Sequence, residues 1–141
     1  MIVKVYIAAP FFNERQLAIV SEVENFLTSK GIDFFSPRCT GTLKDMSKER
    51  QQQTKRQIYD TNIRMMDACT HMIACVEEKD QGTTFEIGYY AAKQKPIVLF
   101  SEKVGTVNVM LAEAAMSVCD GLYLLDSALI GDYTSPPASL T

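Results

Sequence analysis

At 141 residues with a formal net charge of −3, the chain has room for one domain around a single core. Its hydrophobic fraction of 47% and charged fraction of 22% are ordinary for a soluble globular protein. The basic residues are scattered and build no positive face of the kind duplex nucleic acid requires, and no apolar run reaches the roughly 20 residues that span a bilayer.

Taken in chain order, short apolar runs alternate with longer amphipathic ones. Ile2 to Ala9 reads as a buried strand ended by Pro10. Asn13 is placed to cap a helix running to about Ser29, with Leu17, Val20, Val23, Phe26 and Leu27 at helical spacing and Lys30-Gly31 closing it. Ile32 to Ser36 is a second strand, followed by a Thr-, Gly- and charge-rich loop from Pro37 to Ser47. Lys48 to Ala68 reads as a long polar helix whose apolar residues, Ile58, Ile63, Met65 and Met66, gather in its second half. A third strand is expected at about His71 to Val76, a helix from about Thr83 to Lys93, and a fourth strand at Ile97 to Phe100. A helix from about Asn108 to Ser117 and a fifth strand at Gly121 to Leu125 complete the set. Near-continuous apolar strands separated by helices mark a parallel sheet covered on both faces. The expected fold is α/β: a flavodoxin-like three-layer sandwich with five strands in the order 2-1-3-4-5. The domain is expected over residues 1–130, with 131–141 a tail that is loosely ordered or lies at a subunit interface.

Cys39, Cys69, Cys75 and Cys119 form no CxxC pair. With no signal-like opening segment, the reading is a cytoplasmic protein with reduced thiols. The single histidine, His71, has no clustered partner and is read as a helix-end or turn residue; no metal or cofactor is expected.

In such a sheet, ligands bind beyond the carboxyl ends of the strands, near the point where strand order reverses. That selects the loops after strand 1, Ala8 to Asn13, after strand 3, Glu77 to Gly82, and after strand 4, Ser101 to Val107. Asp80 and the helix carrying Glu86 fall on this rim, as does Tyr6 if its side chain faces the crevice. Glu86 lies among apolar neighbours in the segment from Asp80 to Tyr90. One reading of Thr83-x-x-Glu86 is a capping box, which makes Glu86 structural. The other is chemical: two carboxylates on a rim without metal ligands suit glycosyl transfer, one attacking an anomeric carbon to form a covalent glycosyl-enzyme. A tyrosine hydroxyl would hold the nucleophile's rotamer, and a helix N-terminus would keep it ionised.

Four segments in order carry a resemblance: Val5 to Phe12, Asn62 to Cys69, Asp80 to Gly88 and Asn108 to Met110. Together they resemble the nucleoside 2-deoxyribosyltransferase family over about residues 2–125. The resemblance implies that Glu86 takes the deoxyribosyl group at C1′, that Tyr6 orients Glu86, and that Asp80 hydrogen-bonds the sugar 5′-hydroxyl. It further implies that Asn108 is supplied to the active site of a neighbouring subunit, making a homo-oligomer part of the mechanism. Asn62 occupies a position where some members carry an aspartate that contacts or protonates the base. The implied partners are a 2′-deoxynucleoside and a free nucleobase, with no nucleic acid and no membrane.

Each of these residues also has a plainer reading. Tyr6 fits strand core, Asn62 a solvated helix position, Asn108 an N-cap, and Phe11-Phe12 either core or a stacking surface for a base. Gly82 joins the substrate-binding set, although a tight turn explains it equally, as close helix–sheet packing explains Gly88. Arg38 reads as a surface charge rather than part of the base pocket. Two rivals share the fold. Nucleoside 5′-monophosphate N-glycoside hydrolases place a serine where this chain has Asp80, and a carboxylate there would repel a phosphate dianion. A response-regulator receiver, suggested by Lys95-Pro96, needs acidic residues after the first strand, where this chain has Ala8-Ala9-Pro10-Phe11-Phe12.

Overall fold

The computed structural model describes residues 2–40, 46–102 and 107–131. Five parallel strands run in the order β2-β1-β3-β4-β5: β1 Lys4–Ala8, β2 Asp33–Phe35, β3 His71–Cys75, β4 Ile97–Phe100 and β5 Ser117–Cys119. The helices are α1 Glu14–Ser29, α2 Lys48–Ala68, α3 Gln81–Ala92, α4 Val109–Ala114 and α5 Leu125–Leu129.

Because side chains alternate across a strand, β1 feeds two cores at once. Val5, Ile7 and Ala9 join Ile73, Cys75, Val98, Phe100 and Cys119 under α1 and α5, while Tyr6 and Ala8 join Met72, Ala74, Ile97, Leu99 and Val118 under α2 and α3. The apolar stripe expected on α1 buries Val20, Val23 and Leu27, and the helix is capped by Asn13, whose side chain accepts from Gln16 N at 2.9 Å. Its exit turns through Gly31 at φ +68°, a left-handed conformation open to glycine. On α2 only Met66 is fully buried, as expected from the concentration of apolar residues in the second half.

Three expectations are corrected. The fifth strand lies at Ser117–Cys119, pairing in register with Val98 to Phe100, and not at Gly121 to Leu125. A strand over that later segment would put Tyr123 and Leu125 on one face. Instead the chain turns through a 3-10 helix at Leu122–Leu124 into α5, exposing Tyr123 by 75% and burying Leu125 completely. Leu125 and Leu129 share a helical face, and this period outweighed the β-branched Val118 in so short a strand. His71 is a buried β3 residue, its Nδ1 2.8 Å from Thr70 Oγ1 and its pKa lowered chiefly by burial, and not a helix end or turn. Gly88 is exposed and an added Cβ would meet nothing within 4 Å, so helix–sheet packing does not account for it.

Lys95, the residue that suggested a receiver, donates from Nζ to the carbonyls of Met66 and Asp67 at 2.8 and 2.9 Å, closing the end of α2. The thiols of Cys75 and Cys119 are pushed up by burial to about 12 and about 11, which makes them packing residues. Leu125→Ala is expected to cost about 3 kcal/mol in urea unfolding, as a truncation in a closed core does, whereas Tyr123→Ala should stay within about 0.5 kcal/mol. A strand at Gly121 to Leu125 would instead make the two losses similar.

Candidate active site

The site forms at the carboxyl edge of the sheet between β1 and β3, from which the chain crosses to strands on opposite sides. The loop after β3 is tied to the start of α1: Arg15 Nη2 lies 2.6 Å from Glu77 Oε2, and Gln16 Nε2 donates to Glu78 Oε2 at 2.6 Å. That loop ends in Asp80, which caps α3. Asp80 Oδ2 accepts from Thr83 N at 2.8 Å and from Thr83 Oγ1 at 2.7 Å. The cap is therefore Asp80, and Thr83 is the third helical residue; the capping box that is one reading of Thr83 and Glu86 does not form. An aspartate accepts the same N–H and adds a charge favourable to the helix N-terminus.

Released from capping, Glu86 lies in the second turn of α3 beside Thr83, Ile87 and Tyr90, the buried residues of that helix. Its carboxylate accepts a hydrogen bond from the Tyr6 hydroxyl across the layer between sheet and helix. Tyr6 is wholly buried; burial, then the Glu86 charge, hold its phenol far above the ordinary range, so it stays a neutral donor. The Glu86 carboxyl is itself raised to about 7: burial is the largest cause, the Tyr6 hydrogen bond opposes it, and the Asp80 charge adds to it. The expected protection by the helix N-terminus does not decide its ionisation, because that influence fades beyond the first turn.

A cavity of about 310 Å³ opens over this carboxylate. It brings together Glu86, Asp80, Asn62, Phe11, Phe12 and Gly82, six of the eight residues expected at the site. Tyr6 reaches it only through Glu86. Gly82 sits in the first turn of α3, not in a turn between elements, and an added Cβ would come within 3.5 Å of Asp80 Oδ2, an ordinary contact. Asn62 is not the solvated helix residue of the plainer reading: its Oδ1 is buried without a hydrogen-bond partner among the described residues. Phe11 and Phe12 stack at 4.7 Å, and Phe12 remains 68% exposed at the mouth.

Asn108 is not part of this cavity. It caps α4, accepting from Met110 N at 2.9 Å, and lines a neighbouring cleft of about 900 Å³ that shares Asp80 and Phe85 with the first. Arg38 is paired with Glu24 of α1, its Nε donating at 3.0 Å, and lines neither space. Sequence reasoning missed Lys55, Tyr59 and Phe85, which also line the Glu86 cavity. The first two share the helical face of Asn62, a spacing that would have found them. Within the Pro37 to Ser47 loop, residues 41–45 lie outside the described residues, as does the tail from 132 onward. Among the described residues no cluster of His, Cys, Asp and Glu is arranged to hold a metal, and no helix is long and apolar enough to cross a membrane.

The fold is a wound parallel sheet with a largely buried, tyrosine-held glutamate near its reversal point. The sequence profile of the nucleoside 2-deoxyribosyltransferase family matches residues 5–122, and the chain belongs to that family. The solved 2-deoxyribosyltransferase of Bacillus psychrosaccharolyticus superposes with a TM-score of 0.78 at 26% identity, covering 88% of this chain and 90% of that one. A conserved protein of Enterococcus faecalis V583 shares the fold at 21% identity and a TM-score of 0.59, over 99% of this chain and 92% of its own. A protein of Thermofilum pendens, provisionally named a 2'-deoxynucleoside 5'-phosphate N-hydrolase, is 27% identical over 111 residues, 77% of this chain and 76% of that one. The family's chemistry is glycosyl transfer or hydrolysis on deoxynucleosides.

Glu86 titrates with a sign that stability can read. Its folded value of about 7 lies above the ordinary 4.5, so the protonated carboxyl favours the fold below about pH 4.5 and that benefit is lost as pH rises through 7. Glu86→Gln should therefore be more stable than the parent at pH 8, by about 3 kcal/mol at most, with the gap closing toward pH 4.5. Denaturant unfolding at the two pH values checks it.

Proposed function

We infer that this chain exchanges the base of 2′-deoxynucleosides, transferring the 2-deoxyribosyl group to a free nucleobase through an ester on Glu86. The observation that carries the reading is a carboxylate buried beside an apolar cavity and fixed by a neutral phenol. Glu86 forms a bond to C1′ as the C1′–N bond breaks with its electron pair going to the base, and the incoming base reverses the step with net retention. Burial strengthens an ionised nucleophile only when it is deprotonated, so the first half-reaction should gain speed as pH rises through about 7. Tyr6 keeps the attacking oxygen in one rotamer. In this reading Asp80 receives the 5′-hydroxyl, its Oδ2 being occupied by Thr83, and Phe11 and Phe12 flank the base. Asn108, outside the Glu86 cavity, is read as the group given to a neighbouring copy, so the acting unit is a homo-oligomer.

The Thermofilum relative favours a second reading, hydrolysis of a 5′-phosphorylated deoxynucleoside. Against it stands the charge at Asp80. A phosphate about 5 Å from a carboxylate meets on the order of 3 kcal/mol of repulsion per unit charge at an effective dielectric near 20, and Glu86 adds to it. Transfer to water also predicts turnover indifferent to added base.

Glu86→Ala should lower base exchange by at least about a thousandfold. The parent incubated with a 2′-deoxynucleoside should yield, by mass spectrometry, a deoxyribosyl adduct on Glu86. Exchange that survives the substitution, with no adduct, would overturn the reading. Asp80→Ser should shift preference toward 5′-monophosphates by about tenfold or more in relative kcat/KM, the amount that one relieved charge contact supplies. Rapid hydrolysis by the parent, unaffected by acceptor base, would favour the second reading.

A further inference from the structure

We propose that Lys55 donates the proton to the departing base, and that the cavity takes bases presenting a lactam edge, a ring N–H beside a carbonyl oxygen. This rests on the reading of Glu86 as nucleophile.

Breaking the C1′–N bond leaves an electron pair on the base, and a base leaves far more readily if that charge is met by a proton. Asn62 has no proton to give as an acid. Asp80 Oδ2 is held as an acceptor by both donors of Thr83, and Glu86 is committed as the nucleophile. Of the residues lining the cavity, Lys55 and Tyr59 remain as groups with a transferable proton. The Tyr59 ring is already engaged on its flanks, with the Arg56 guanidinium 5.5 Å from its centroid and the Phe85 ring at 6.2 Å. Lys55 carries no ion pair among the described residues, although the neighbouring Arg56 pairs with Asp60 at 3.6 Å. It also brings positive charge to the place where negative charge develops, which a phenol does not.

Lys55, Tyr59, Asn62 and Met66 form one stripe of α2, all lining the cavity. Lys55 and Asn62 are seven residues apart, roughly 10 Å along the axis. A flexible four-carbon stem and the width of a base span that separation. The buried Asn62 Oδ1 lacks a donor, and a ring N–H supplies one. Lysine donates only, so the neighbouring position on the base must accept. An acceptor at Asn62 and a donor at Lys55 match the N–H and carbonyl of a lactam. Adenine presents the reverse, an unprotonated ring nitrogen beside an amino group. In the first half-reaction, the electron pair released from C1′ is delocalised onto the base carbonyl oxygen, which takes a proton from the Lys55 ammonium. In the second, the incoming base in its hydroxyl tautomer attacks C1′, the ester C1′–O bond breaks with its electron pair returning to the Glu86 carboxylate, and the O–H proton of the base returns to the Lys55 amine.

The test is Lys55→Met, assayed on a leaving group that needs the proton and one that does not. The parent should turn over 2′-deoxyinosine faster than 2′-deoxyadenosine. Lys55→Met should lose roughly a hundredfold in kcat on 2′-deoxyinosine and lose that preference, while 4-nitrophenyl 2-deoxyriboside, whose anion departs unaided, reacts at the parent rate. Equal losses on both substrates, or none on either, would overturn the proposal. So would a loss confined to KM for 2′-deoxynucleoside 5′-monophosphates, which would place the ammonium on a phosphate. Glu86→Ala serves as the parallel control. If it reacts with the nitrophenyl substrate like the parent, the nucleophile reading fails and takes this proposal with it, whereas loss of that reaction with an unchanged Lys55→Met profile refutes Lys55 alone.

Discussion

The hydrogen bond from Tyr6 to Glu86 joins β1 to α3 across a layer that is otherwise packed with apolar side chains. For it to form, α3 must lie against β1 and β3 with Thr83, Glu86, Ile87 and Tyr90 directed inward, a stripe at helical spacing. Tyr90 fixes the far end by donating to the carbonyl of Cys69 at 2.7 Å. Asp80 fixes the near end as the cap. Between these two anchors a carboxyl group is held where water solvates it poorly, and its proton affinity rises accordingly. A domain built for stability alone would place leucine or methionine there.

The two faces of the sheet divide the work. Under α1 and α5 the core is mainly apolar, with His71 and Ser117 buried among the strand residues. The face under α2 and α3 carries Tyr6 in the core and Glu86 and Asn62 at its margin, and the cavity opens there because α2 contributes only Met66 as a fully buried side chain. A long polar helix thus leaves space as well as covering it. Its second half closes the core; the turns before it line the opening.

The proteins this chain is similar to carry different names, a 2-deoxyribosyltransferase and a provisional 2'-deoxynucleoside 5'-phosphate N-hydrolase. In this chain Asp80 holds its helix and faces the cavity with the same carboxylate. Substituting it removes the cap as well as a charge at the cavity, so stability and substrate preference are best measured on the same variant.

Much of this was legible in the residues. Apolar runs of strand length separated by helical periods point to a parallel sheet, because burial on both faces leaves a continuous signal, and the order is the common one for a five-stranded doubly wound sheet. The sheet edge that holds Asp80 and Glu86 follows from that order. The fifth strand was misplaced because three residues, Ser117 to Cys119, are too few to show a period, while Leu122 and Leu124 imitate one. The spacing of Thr83 and Glu86 also fits a capping box, and local pattern could not choose between cap and nucleophile. Tertiary structure removed the cap, because Asp80 takes it, and placed Tyr6, 80 positions before Glu86, as the donor to the carboxylate left over. The sequence by itself determined the layers, the sheet order and the family's residue types. Only the folded chain decided which carboxylate is buried, that Asn62 and Lys55 share its cavity, and that Asn108 does not, because burial and charge proximity depend on distances that contacts between remote segments create.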